Sequence, residues 1–149
     1  MSKITIDQSD WVVVCDGSKW LILENKGDAE IVNLVVRERG KQDNPPTHAQ
    51  GTERPGRSHS SAGTGRSAVG QTDWHDQAET DFLKALAGKL NAAVEAHEVK
   101  GMILVAPPRA MGVLRPALSG ATAALVRTEI DKDYVNLPVD QIEKHLTGA

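Results

Sequence analysis

From Lys41 to Gln71 the chain has no Ile, Leu, Phe, Met or Trp, and Val69 is the only large aliphatic residue. Such a segment cannot bury enough apolar surface to offset the entropy of ordering it. A loop of that length inside a compact domain is unusual, and is normally functional or disordered. It holds five of the chain's 13 glycines and three of its seven prolines. It carries a net charge of +2 in a protein whose total is −3, which leaves −5 for the rest. Residues 41–71 therefore read as a long, mobile, mildly basic loop.

On either side of it the hydrophobic period differs. Before the loop, Trp11–Cys15 is a β-branched run, Asp16-Gly17 follows, and Lys19–Glu24 forms a second run. Asp-Gly between two such runs predicts a hairpin with a type I′ turn, which needs positive φ at both central residues. Ile31–Glu38 makes a third strand. After the loop, Trp74, Ala78, Phe82, Leu83, Leu86, Leu90, Ala93 and Val94 recur at helical spacing. This predicts a helix over 73–98, capped by Thr72 or Asp73, with Asp76 and Glu79 near its positive end and Gly101 beyond its finish. Met102–Ala106 reads as a buried strand stopped by Pro107-Pro108. A short helix follows over Met111–Leu118, with Pro116 awkwardly inside it. Ala123–Ile130 is a strand, with helix as the rival reading. Pro138 opens a last helix whose Val139, Ile142 and Leu146 share a face. The order β-β-β-α-β-α-β-α implies an α/β fold with α+β character. Its sheet is mixed, antiparallel at one edge and ribonuclease H-like in element order.

At 149 residues, 40% of them hydrophobic and 25% charged, the chain fits one globular domain over 1–149. Cys15 is the only cysteine, so no intrachain disulfide forms, and its apolar strand marks it as an inert buried thiol. No window reaches the ~20 apolar residues of a membrane span, and no membrane partner is expected. The first residues lack an apolar signal-peptide core, so the expected location is the cytoplasm.

Among chemically capable residues, Arg54, Arg57 and Arg66 in the loop suit phosphate contact, or else pair with acids of the same domain. The loop has no aromatic side chain on which to stack a base, which disfavours sequence-specific single-strand recognition. Arg109 follows a buried strand, where α/β sheets collect ligands, and can hold a phosphate or carboxylate. His75 and Glu79 stand at i and i+4, with Asp73 and Asp76 nearby, a spacing that suits a metal or acid–base pair. Helix-end electrostatics is the simpler account of those acids, and zinc would need a further ligand from His48, His59 or Asp16. No metal site and no cofactor is assigned. Nuclease chemistry would draw on Asp10 or Asp16 with Glu79, but the strand ending at Ala106 offers Pro107-Pro108-Arg109 instead of an acid. There is no Gly-x-Ser-x-Gly elbow, and Gly63-Thr64-Gly65-Arg66 lacks the spacing and lysine of a phosphate loop.

Several ordered segments together resemble the bacterial host-attachment protein family. They are Trp11-Val12-Val13-Val14 with Asp16-Gly17, Gln42-Asp43-Asn44-Pro45-Pro46, Gly51-Thr52-Glu53-Arg54-Pro55-Gly56-Arg57, Arg66-Ser67-Ala68-Val69 and Thr72-Asp73-Trp74-His75. The second half adds Val105-Ala106-Pro107-Pro108-Arg109, Gly112-Val113-Leu114-Arg115 and Glu129-Ile130-Asp131-Lys132-Asp133. That family is similar to the middle domain of archaeal and eukaryotic peptide release factors, where a Gly-Gly-Gln loop precedes a long helix. Val69-Gly70-Gln71 stands at the corresponding place with its first glycine missing, so Gln71 is the residue that release chemistry would use. The resemblance implies a cytoplasmic, non-catalytic domain that docks on RNA or the ribosome through Arg54, Arg57, Arg66 and Arg109. A metal-assisted ester or phosphodiester hydrolase using His75, Asp76 and Glu79 is the alternative. A protein acting directly in attachment to host cells is the third reading. Oligomeric state is left open.

Overall fold

The structure is a computed structural model that describes residues 4–42 and 64–148, with side chains in the second span from residue 77 onward. Strands β1 (Trp11–Cys15), β2 (Lys19–Asn25) and β3 (Leu34–Lys41) come first, then helix α1 (Thr64–Glu95) and β4 (Met102–Val105). Helices α2 (Pro108–Ala117) and α3 (Gly120–Leu125), strand β5 (Val126–Ile130) and helix α4 (Val139–Thr147) complete the order. One sheet runs β3-β2-β1-β4-β5. The β1–β2 and β2–β3 pairs are antiparallel, whereas β1–β4 and β4–β5 are parallel. This is the mixed α+β sheet, antiparallel at one edge, that the element order implied.

Strand β1 sits at the centre, and all five of its residues are buried. Its β-branched run suits a strand covered on both faces. Trp11, Val13 and Cys15, with Met102 and Leu104, face Leu83, Leu86 and Leu90 of α1 and Met111 and Leu114 of α2. Val12 and Val14, with Ile103, Val105 and Leu23, face Ile142 and Leu146 of α4. Alternation along the strands thus separates two cores, one on each side of the sheet.

Several predicted boundaries move. Helix α1 begins at Thr64, so the last eight residues of the expected loop are helical. Arg66 and Gln71 lie within α1, Thr72 and Asp73 are interior positions rather than caps, and no acid occupies its first turn. It ends at Glu95, short of the expected 98. The rest of the loop, with Arg54, Arg57, His48 and His59, lies outside the described residues. Strand β3 starts at Leu34 rather than Ile31, because polar side chains hold the chain in a turn. Asp28 Oδ1 accepts from the Glu30 and Ile31 N–H groups, and Asn25 Oδ1 from those of Gly27 and Asn33.

Helix α2 starts at Pro108, with Pro107 as its cap, so the double proline both ends β4 and opens the helix. Pro116 is tolerated because it falls in the last turn, one residue before the end. The stretch 123–130 contains both rival structures: the end of α3, then β5. Ser119 caps α3, its Oγ accepting from the Thr122 N–H, and this adds one helix to the expected order. Pro138 is the cap of α4 rather than part of its first turn. Among the described residues no helix is long and apolar enough to cross a membrane.

Candidate functional site

The parallel strands β1 and β4 end side by side, Val14 opposite Val105, and beyond their carboxyl ends lies a cleft of about 310 Å³. Crevices at such strand ends are the usual ligand sites of parallel sheets. Asp16, Gly17 and Ser18 form one lip, Glu79, Thr80 and Leu83 of α1 a second, and Pro107, Arg109, Ala110 and Val113 the third.

The first lip is the β1–β2 hairpin, and its chemistry differs from the expected type I′ turn. Among the described residues only Ser9, His97 and Gly148 have positive φ. The Asp16 side chain closes the turn instead: its Oδ1 accepts from the Ser18 and Lys19 N–H groups, each at 2.8 Å. The Asp16 N–H donates to the Lys19 carbonyl at 3.0 Å. This is the local hydrogen bonding that makes Asp a turn residue. Gly17 has a separate packing role. A β-carbon there would lie 2.8 Å from Glu79 Cδ and 2.9 Å from its Cγ, so the missing side chain makes room for the Glu79 carboxylate against the hairpin.

Glu79 and Arg109, from different helices, meet across the cleft with Arg109 Nη2 3.8 Å from Glu79 Oε1. Their side chains are 41% and 69% exposed, so the contact is a loose, solvated pair that a ligand can rearrange. Arg109 belongs to the first turn of α2, whose Pro107 cap supplies no side-chain acceptor. The first N–H groups of a helix have no acceptor within it and carry partial positive charge. A cation and a helix amino end therefore border the same cleft as Asp16 and Glu79. Cys15 lies just beneath, fully buried. Burial, with Asp16 as a lesser cause, pushes its thiol up to about 12, which removes it as a nucleophile.

The structure brings together only part of the predicted set. Glu79 and Arg109 share the cleft, and Asp16 joins them. Asp10 does not: it precedes β1 at the opposite end of the sheet. There its Oδ2 accepts from the Asp7 N–H at 2.8 Å, and Arg127 Nη2 lies 3.4 Å from its Oδ1. Burial raises the Asp10 carboxyl above the usual carboxylate range, against the lowering effects of the Asp7 N–H and Arg127. His75 and Asp76 lie on the helical turn before Glu79, with side chains outside the described set. Among the described residues no three His, Cys, Asp or Glu side chains gather as metal ligands. Sequence reasoning missed Gly17, Ser18 and Thr80 as cleft residues. Gly17 was visible only as part of a turn signal, because its contact with α1 spans more than 60 positions.

Together these features define a mixed-sheet α/β domain with a polar cleft at the carboxyl ends of its parallel strands. The chain belongs to the family described as protein required for attachment to host cells, whose model matches residues 11–146. A search of curated proteins finds no match.

Proposed function

We propose that this member of the host-attachment family is a cytoplasmic, non-catalytic domain that binds RNA, free or in the ribosome, through its phosphate backbone. The observation that supports this most is Arg109, exposed beside the amino end of α2 at the crevice of β1 and β4. A guanidinium and helix-end N–H groups are the donors that phosphate oxygens take. Arg54, Arg57 and Arg66 extend the same chemistry in this reading, as phosphate contacts that position the domain without reading bases. A role in attachment to host cells then follows indirectly, through what the cell translates. The hydrolytic chemistry of release factors is not part of the proposal, because Gly70 and Gln71 lie on the helical backbone of α1 rather than in a loop before it.

The test is binding of a labelled single-stranded RNA across a salt series, beside sedimentation of lysate at low and high salt. Binding should weaken steeply between about 50 and about 200 mM salt, and each Arg→Ala substitution should lower the salt slope by about one. Comigration with ribosomal particles should be lost at high salt. RNA affinity unchanged in the variant lacking Arg54, Arg57, Arg66 and Arg109 would overturn the reading. A second reading, metal-assisted phosphodiester hydrolysis, is favoured by one observation: Asp16 and Glu79 border a single cleft. It requires a cleavage activity, dependent on a divalent cation, that Glu79→Gln abolishes.

A further inference from the structure

On the other face of the sheet, the one α4 covers, there is a larger groove of about 800 Å³. Val135, Leu137, Pro138 and Val139 wall it, and the ends of β2 and β3 form its floor. In the β2–β3 ladder Lys19 stands directly opposite Lys41, and Leu21 directly opposite Arg39. Directly opposed residues project to the same face, and Leu21 packs into the core on the α4 side. Lys19, Arg39 and Lys41 therefore share the groove's floor.

Like charges set opposite one another destabilise a ladder. Elsewhere along these strands the cations are matched. Arg37 meets Glu24 at 3.0 Å and Glu98 at 3.7 Å, Lys26 meets Glu24 at 3.6 Å, and Lys89 of α1 meets Glu38 at 2.7 Å. Among the described residues no carboxylate lines the groove. Among the described residues Lys19 Nζ donates only to the neutral Asn136 Oδ1. Cations on edge strands commonly discourage pairing with other chains, and β3 is an edge. Lys19 is on β2, an interior strand, so edge protection does not account for it.

We propose that this groove is a binding site for an organic polyphosphate of the nucleoside di- or triphosphate class. The phosphates would sit on Lys19, Arg39 and Lys41, and the organic body against the apolar wall. Directly opposed β-carbons lie about 5 Å apart, and the next residue on the same face about 7 Å along the strand. Three cations at that spacing suit adjacent phosphates better than one carboxylate, with Arg39 able to grip two oxygens at once. The volume falls within the range of small-molecule sites. This site lies across the sheet from the Arg109 cleft and does not depend on the RNA reading.

The experiment is calorimetric titration of the full chain with ADP, ATP, adenosine and pyrophosphate. ADP and ATP should bind, adenosine should not, and pyrophosphate should bind more weakly than ADP because it leaves the wall unfilled. Arg39→Gln and Lys41→Gln should each weaken ADP by about tenfold or more, the loss expected for a hydrogen bond to a charged group. Lys41→Gln should also leave the melting temperature unchanged or raised, because it relieves the repulsion with Lys19. Absence of ADP and ATP binding at millimolar concentration would overturn the proposal. So would pyrophosphate binding as tightly as ADP, or nucleotide affinity unchanged in the Lys19, Arg39 and Lys41 triple variant.

Discussion

Strand β1 has an aspartate at each end, and each aspartate shares its surroundings with an arginine, but the two settings differ in access to water. At the amino end Asp10 is 1% exposed and enclosed by the Asp7 N–H, Arg127 and the bare backbone of Gly101. At the carboxyl end Asp16 closes a surface turn, and the neighbouring Arg109 and Glu79 side chains stand in solvent. The closed set has its hydrogen bonds committed and ties β1 to β5 through Arg127. The open set has a cleft beside it and a loose ion pair. The same residue types thus serve as a structural clamp at one end of a strand and as the border of an open cleft at the other.

This contrast can be broken by substitution, and the clamp should respond most. Asp10→Ala strands the Asp7 N–H and half of Arg127's partners, and should cost about 2–3 kcal/mol in urea unfolding. Asp10→Asn, which keeps an acceptor, should cost less. The acid also has a pH signature. Burial raises its folded pKa above the ordinary 3.8, so the folded state holds this proton more tightly than the unfolded chain. Its contribution is therefore greatest below pH 3.8 and lost as pH rises through the raised value. Unfolding midpoints measured across that window should show this downward component in the native protein and lose it in Asp10→Asn.

Next in size is a pair of glycine substitutions. A β-carbon on Gly101 would lie 2.7 Å from both Asp10 Oδ1 and Arg127 Nε, inside a set already committed. Gly101→Ala should cost about 1–3 kcal/mol, the usual penalty of overpacking. Gly17→Ala meets the Glu79 side chain instead, which can swing into water, and should cost less than about 1 kcal/mol. Equal penalties for the two would sink the distinction between a closed and an open end. The smallest effect belongs to Glu79→Gln, which should shift stability by no more than about 0.5 kcal/mol because its ion pair is solvated.

Where hydrophobic period and turn chemistry agreed, the elements could be read along the chain. Trp11–Cys15 and Met102–Val105 are short apolar runs with clear stops, and the structure keeps them as central strands. The start of α1 was hidden, because Thr64–Gln71 offers a single large apolar residue, Val69, and periodicity cannot register on one point. Ile31 looked like strand by its branching, yet Asn25 and Asp28 captured the backbone around it and left it 75% exposed. Glu79 and Arg109 stood out individually through helical spacing and strand-end position. Their meeting depends on how α1 and α2 pack, which no local pattern encodes. Asp10 and Asp16 were equivalent as letters flanking one strand, and only the direction of the strand in the sheet separates them. The cations of the α4-side groove were invisible for the same reason, since Lys19 and Lys41 become neighbours only through the ladder register.

The buried cysteine gives the molecule a built-in clock. Cys15 is the chain's only thiol, lies at the last position of the central strand directly behind the cleft lip, and has no exposed surface. A thiol reagent can reach it only when β1 parts from its neighbours, so the rate of labelling counts those openings rather than the reactivity of sulfur. Ligands that settle in the cleft would slow the count, and ones that settle across the sheet would slow it only by steadying the whole domain.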